Sequence, residues 1–136
     1  MELRYIDSSL PLCVMTGEPR EYYSSCLEIM EKVEKGEETV VTSVFTVAEI
    51  GHILKKREKL DSKKTSDMTV SLLDCQGLKL LDVEAILCRD AIELSSQYSV
   101  DFVDAYNVLT MKRKAIEEIY SLDEHYDIFK DVKRVI

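Results

Sequence analysis

The sequence predicts an α/β domain built on a mostly parallel central sheet with helices on both faces. Three observations carry that expectation. Short apolar or β-branched runs alternate with longer segments of helical periodicity, and no two of the runs are joined by a hairpin turn signal. Two of the runs also end on an aspartate, which suits the carboxyl end of a strand and not its interior. At 136 residues the chain is long enough for one core and one domain, residues 1–136.

Leu3, Tyr5 and Ile6 predict a first strand buried on both faces and ending on Asp7. Ser8 and Ser9 follow, so Asp7 reads equally as the start of an Asx or Ser turn and as a carboxylate at the ligand-binding edge of an open sheet. "GEPREYYSSCLEIMEKVEKGEE" carries Cys26, Ile29, Met30 and Val33 at helical spacing, with Pro19 near its start and Gly36 near its end. "TVV" (39–41) is a β-branched run, and Ser43 is the expected N-cap of a helix reaching Lys56, with Val44, Val47, Ile50 and Leu54 on one stripe. A polar "SKKTSD" leads into a helix around "MTVSLLDCQ" that Gly77 ends, and "LKLLDV" reads as a second buried strand. Leu87, Ala91 and Leu94 mark a helix over 84–98, which breaks at Ser99 before a further helix in "DFVDAYNVLTMKR". "EEIYSLD" returns to strand and "KRVI" closes the sheet as an edge strand.

A net charge of −8 excludes a protein that coats nucleic acid by bulk electrostatics. The cations are nevertheless concentrated: Lys55, Lys56, Arg57, Lys59, Lys63, Lys64 and Lys112, Arg113, Lys114 supply 9 of the 18 basic residues. These clusters suit either solvated helix ends or contacts to a phosphate backbone. The four cysteines are far apart, with no C-x-x-C pair, which argues against structural zinc; Cys26 and Cys88 read as small core residues in a reducing compartment. No apolar run approaches the roughly 18 residues of a membrane span, and the N-terminus has no cleavable apolar stretch, so a cytoplasmic protein is expected.

The pattern at Asp7 recurs in "YSLDEHYD", where Asp123 follows a strand, so two parallel strands would deliver two aspartates to one sheet edge. Between them in sequence, Asp101 and Asp104 resemble a capping box, yet the helix they open is apolar nearly all round, which leaves Asp104 among Phe102, Val103, Ala105 and Tyr106. A carboxylate so placed requires a partner. Glu49 lies opposite the Val47, Ile50, Leu54 stripe, a position that also suits an exposed helix glutamate.

Taken together, "YIDSS", "SVFTVAEI", "DFVDAYNV" and "SLDEHYD" resemble, in order and spacing, the four acidic motifs of the PIN-domain family over essentially the whole chain. Within it, the nearest match in length is the VapC-like toxins, endoribonucleases of type II toxin–antitoxin pairs. The resemblance implies a PIN-like three-layer α/β/α sandwich. It also implies that Asp7, Glu49, Asp104 and Asp123 form a catalytic set binding Mg²⁺ or Mn²⁺, with Asp101, Asn107, Ser8 and Ser9 in support. A cation there would activate water against a phosphodiester, with Glu49 either binding it or acting as base. An RNA substrate held by Lys55, Lys56, Arg57, Lys63, Lys64, Lys112 and Arg113, a small antitoxin and a homodimeric state are the implied partners. In the last motif Ser121 replaces the usual threonine and His125 the usual second acid. That substitution also admits an RNA- or protein-binding module whose metal site has degenerated.

Overall fold

The computed structural model describes residues 2–136. Strands β1 (Arg4–Ile6), β2 (Val40–Ser43), β3 (Leu78–Leu81), β4 (Glu118–Tyr120) and β5 (Lys133–Val135) form one sheet in the order β3-β2-β1-β4-β5. Every neighbouring pair is parallel. The helices are α1 (Ser9–Thr16), α2 (Arg20–Glu34), α3 (Val44–Lys56), α4 (Ser62–Leu73), α5 (Cys88–Tyr98) and α6 (Phe102–Arg113), with 3₁₀ turns at Ala85–Leu87 and Glu124–Ile128.

Successive strand side chains face opposite ways, and this alternation builds two cores. Tyr5, Val41 and Ile119 pack with Ala91, Ala105, Tyr106 and Met111 of α5 and α6 on one side of the sheet. Ile6, Val40 and Tyr120 pack with Leu10, Cys13, Cys26, Val33, Ile50, Leu54 and Leu72 of α1 to α4 on the other. The expected α/β/α layering follows directly. At the amino end of β1, the Arg4 guanidinium donates to Glu118 Oε1 (2.8 Å) and Glu38 Oε1 (2.6 Å) and lies 5.1 Å from the Tyr120 ring centroid, tying β1 to its neighbours.

Several elements differ from the sequence expectation. Leu3 lies outside β1 and is 40% exposed. Helix α1 was not anticipated, because "SLPLCVMT" is apolar without a helical stripe; Pro11 is tolerated there in the first turn, and Leu10 and Cys13 are fully buried. Gly17, at φ +81°, ends α1 with a left-handed cap, and Pro19 becomes the residue that precedes α2. "SKKTSD" is helical: Asp61 accepts a hydrogen bond from the Lys64 N–H (2.7 Å), so Lys63 and Lys64 open α4. The strand β3 is an edge strand with Lys79 and Leu80 exposed, because β2 is its only neighbour. The inner stripe of α3 is Thr46, Ile50 and Leu54, while Val44 is exposed. Ser43 stands at the N-cap of α3 without a side-chain capping bond. Cys26 is a core residue, as is Cys13, but Cys88 is only half-buried, at the start of α5; all four thiols are free. Among the described residues no helix is long and apolar enough to cross a membrane.

Gly77 lies beyond α4, and its amide donates to Val33 O at 2.8 Å. A Cβ there would sit 1.9 Å from Glu38 O and 2.8 Å from Val33 O, both backbone atoms, whereas a Cβ on Gly51, inside α3, would meet nothing within 4 Å. Urea unfolding should therefore show Gly77→Ala losing about 3 kcal/mol or more, and Gly51→Ala gaining about 0.5–1 kcal/mol. Equal effects at the two glycines would contradict the packing.

Candidate metal centre

The chain builds the sheet outward from β1 through β2 to β3, then returns to place β4 and β5 on the other side of β1. The reversal lies between β1 and β4, and in open α/β sheets the crevice beyond the carboxyl ends of such a pair receives ligands. Asp7 leaves β1 directly into this crevice, its amide donating to Tyr120 O at 3.2 Å, and Asp123 arrives from the end of β4.

The Asp7 carboxylate is buried and heavily bonded. Oδ1 accepts from the Ser9 amide (2.9 Å) and the Ser9 hydroxyl (2.5 Å), and Oδ2 accepts from the Ser121 hydroxyl. Each serine oxygen in turn accepts an amide from the loop after β4: Leu122 N–H to Ser9 (2.8 Å) and Asp123 N–H to Ser121 (2.9 Å). Both protons are thereby aimed at Asp7. The Asx turn and the ligand-edge carboxylate are one and the same group. Of the two candidate serines, Ser9 serves Asp7, while Ser8 donates to Glu49 Oε1 and thereby fixes the α3 glutamate, which is half-buried.

Asp104 enters from the first turn of α6, a helix whose residues 104–108 are all buried. Its Oδ1 accepts from the Tyr126 hydroxyl (3.1 Å); Tyr126 accepts from Asn107 Nδ2 (2.9 Å); and Asn107 Oδ1 accepts from the Tyr5 hydroxyl (2.7 Å). This chain crosses from β1 through α6 to the 3₁₀ turn. Asn107 thus supports the site through Tyr126, a residue that the sequence reading missed because one tyrosine in "EHYDIF" gives no periodic signal. Asp101 occupies the N-cap position of α6 but is exposed and makes no side-chain capping bond, so the capping-box interpretation is not what the structure shows. Its charge still acts on Asp104.

One oxygen each from Asp104 and Asp123 and one ring nitrogen of His125 lie within 4.8 Å of one another. Asp7 and Glu49 stand around this tight set without belonging to it. The basic residues are elsewhere. Lys55 and Lys56 lie about 10 Å farther along α3 than Glu49, and Lys112 and Arg113 about 12 Å along α6 from Asp104. Three of the cations have acidic neighbours: Lys63 with Asp67 (3.3 Å), Lys112 with Asp131 (3.6 Å) and Arg113 with Glu84 (2.9 Å).

A PIN domain family model matches residues 4–135. The chain belongs to the PIN domain family. Its fold is similar to that of Mycobacterium tuberculosis VapC20, a Sarcin-Ricin loop cleaving toxin, with TM-score 0.75, 17% identity, and coverage of 96% of this chain and 98% of that one. VapBC2 from Rickettsia felis, bound to a DNA fragment from its promoter, gives TM-score 0.65 at 13% identity, covering 98% and 97%. A toxin–antitoxin complex from Klebsiella pneumoniae gives TM-score 0.60 at 14% identity, covering 96% and 95%. Comparison with curated protein sequences finds no match.

The donor set of this PIN domain fits a divalent cation. Burial, opposed by the serine hydrogen bonds and reinforced by the charge of Asp123, pushes the Asp7 carboxyl up to about 6. Burial first, then the charges of Asp123, Asp7 and Asp101, pushes Asp104 up to about 7, against the bond from Tyr126. Carboxylates held so close at neutral pH lack a countercharge, which a hard cation supplies.

Raised carboxyl values mean that the folded chain binds protons more tightly than the unfolded one between about pH 4 and pH 7. The metal-free protein should therefore lose stability as pH rises through that window and be least stable above it. Asp104→Asn should flatten this slope, and Mn²⁺ should raise the melting temperature at pH 7.5 in wild type but not in that variant. Calorimetric melts with and without chelator check both; a flat wild-type profile would count against the buried acid pair.

Tyr126→Phe removes the link between Asn107 and Asp104. It leaves the buried Asn107 Nδ2 without its acceptor, which should lower stability by about 1–3 kcal/mol in urea. A neutral substitution would show that the chain of hydroxyls is not holding α6.

Proposed function

We propose that this PIN domain is a divalent-metal-dependent endoribonuclease, acting as the toxin of a toxin–antitoxin pair. The observation that supports it most is the pairing of Asp104 and Asp123 at the switch point of the sheet, with Asp7 bonded into the adjoining strand end and Glu49 held by Ser8 of the same turn. Asp104 and Asp123 would hold Mg²⁺ or Mn²⁺, and Asp7 would face it with the lone pair that its three hydrogen bonds leave on Oδ2. When bound, such an ion supplies Lewis-acid polarisation of a phosphodiester and a more acidic water.

The chain's own groups do the rest. Ser8 holds one oxygen of Glu49, which leaves the other to accept a proton from an attacking water. Ser9 and Ser121 keep Asp7 as an acceptor-only group, so it cannot turn away from the crevice. The exposed Lys55, Lys56, Arg57, Lys63 and Lys64 at the junction of α3 and α4 would hold the RNA backbone at a remove from the scissile bond, with Lys112 and Arg113, at the carboxyl end of α6, as secondary contacts. Phosphate contacts of this kind position RNA without choosing its sequence.

The antitoxin would be a small protein laying apolar side chains into the cavity of about 370 Å³ lined by Val14, Met15, Leu27, Met30, Met68 and Leu72, its rim made acidic by Glu31 and Glu34. Ile86 and Ile92, 75% and 60% exposed, support a homodimer, which sedimentation at tens of micromolar would detect. Four free thiols suit a cytoplasmic location. His125 in place of an acid favours one other reading, a binding module without turnover.

A mixed RNA pool incubated with Mg²⁺, Mn²⁺ or chelator separates the two readings. The nuclease should cleave only with metal, and Asp104→Asn should abolish cleavage while sparing RNA affinity. Changing Lys55, Lys56 and Lys63 to Gln should weaken binding to all sequences and flatten its salt dependence by about one unit of slope per lost contact, with turnover at saturating RNA retained. Binding without metal-dependent cleavage would favour the module.

A further inference from the structure

We propose that His125 is a direct nitrogen ligand of the divalent cation held by Asp104 and Asp123, and that it biases the site towards transition ions such as Mn²⁺ over Mg²⁺. The proposal rests on the metal-centre reading above and concerns which ion that centre selects. His125 Nδ1 lies 3.1 Å from Asp123 Oδ1 and 3.8 Å from Asp104 Oδ2. An ion with bonds of about 2.1 Å in octahedral geometry separates adjacent donors by about 3 Å, so the His125–Asp123 pair already stands at that spacing, and the Asp104 oxygen, within 4.8 Å of both, needs only a small inward movement to join it.

The backbone explains why a histidine reaches this position. Asp123 caps the 3₁₀ turn Glu124–Ile128 by accepting the His125 amide at 2.9 Å, which folds the chain back so that the ring follows the carboxylate into the crevice. The next residue, Tyr126, is fully buried with its hydroxyl on Asp104, and it anchors the turn from below. One short segment thus delivers an oxygen donor at 123, a nitrogen donor at 125 and a clamp on the third ligand at 126. The His125 side chain is 60% exposed, so with Nδ1 as ligand the remaining ring N–H at Nε2 can be carried in water.

Replacing a carboxylate by imidazole changes the chemistry in two ways. It removes one negative charge from a crowded set of acids, which weakens a purely electrostatic hold on Mg²⁺. It also supplies a softer donor, which Mn²⁺ and the later first-row ions accept more readily than Mg²⁺ does. The competing arrangement is an imidazolium paired with Asp104 and Asp123, occupying the place of the ion instead of binding it.

Mn²⁺ titrated into the purified protein and observed by electron spin-echo spectroscopy distinguishes these. Wild type should show modulation from a directly bonded ¹⁴N; His125→Asn should lose it while melting as wild type does in chelator, and His125→Asp should lose it as well. Competition calorimetry should show the Mn²⁺-to-Mg²⁺ affinity ratio falling about tenfold or more in His125→Asp, which still binds both ions. Mn²⁺ bound without nitrogen coupling, at an unchanged ratio, would overturn the assignment of His125 and leave the metal centre standing. No bound Mn²⁺ in wild type would overturn the metal centre and the ligand assignment together.

Discussion

A carboxylate buried at the end of the central strand is the constraint on which the rest of this structure turns. Asp7 cannot be left there without donors, and the fold supplies them from two directions: Ser9 from the helix that follows β1 and Ser121 from the residue just beyond β4. Both hydroxyls are themselves oriented by amides of residues 122 and 123. The same hydrogen bonds that satisfy Asp7 therefore fix the path of the loop carrying Asp123, so that pairing β1 with β4 and assembling the site are one event. Removing either serine would leave an amide as well as a carboxylate oxygen short of a partner, a larger penalty than one lost bond.

Helix α6 meets the opposite problem. Its polar residues 104 and 107 lie within a buried stretch, and a wholly apolar helix would serve the core better. The hydroxyls of Tyr5 and Tyr126 resolve the conflict by linking the two polar groups into one chain that ends on Asp104. Tyr5 contributes its ring to the same core, which is why a tyrosine can occupy the centre of a parallel sheet. Stability and site geometry are thereby coupled: the charge of Asp104 is unfavourable where it sits, and the hydroxyl chain offsets part of that cost.

What could be read from the sequence follows from how far each signal reaches. The strand end at Asp7 and the amphipathic α2 and α5 are set by residues within a few positions of one another and were legible, as was the parallel topology from the lack of hairpin signals; β4, by contrast, ends at Tyr120, three residues before Asp123, because the Leu122 and Asp123 amides turn to the hydroxyls of Ser9 and Ser121. Helix α1 was not legible, because its half-buried positions, Leu12, Val14 and Met15, are as apolar as the buried Leu10 and Cys13, which erases the stripe that periodicity detects. The exposure of β3 depends on strand order, a property of the whole sheet and not of "LKLL". At the site, the sequence singled out Asp7, Glu49, Asp104 and Asp123 as candidates, but the division of labour between Ser8 and Ser9 was not legible, since two adjacent serines differ only in which way the first turn of α1 points them. Tyr126 was invisible for a related reason: its partner lies 22 residues away on another element.

The separation of charge along α3 and α6 gives the domain its polarity. Both helices begin at the carboxyl edge of the sheet and carry an acid in the half nearer it, Asp104 in the first turn of α6 and Glu49 in the second turn of α3, and both end in cations, Lys55 and Lys56 or Lys112 and Arg113. Helix dipoles favour this ordering, with acids toward the amino end and bases toward the carboxyl end. A chain of net charge −8 can in this way present an acidic crevice at one end of two helices and basic surface at the other. A polyanion would approach from the basic ends and meet the acidic crevice only where a bound cation neutralises it. Since the acids repel one another when no cation is present, an ion that admitted such a polyanion would also stabilise the fold, and the two effects would share one electrostatic origin.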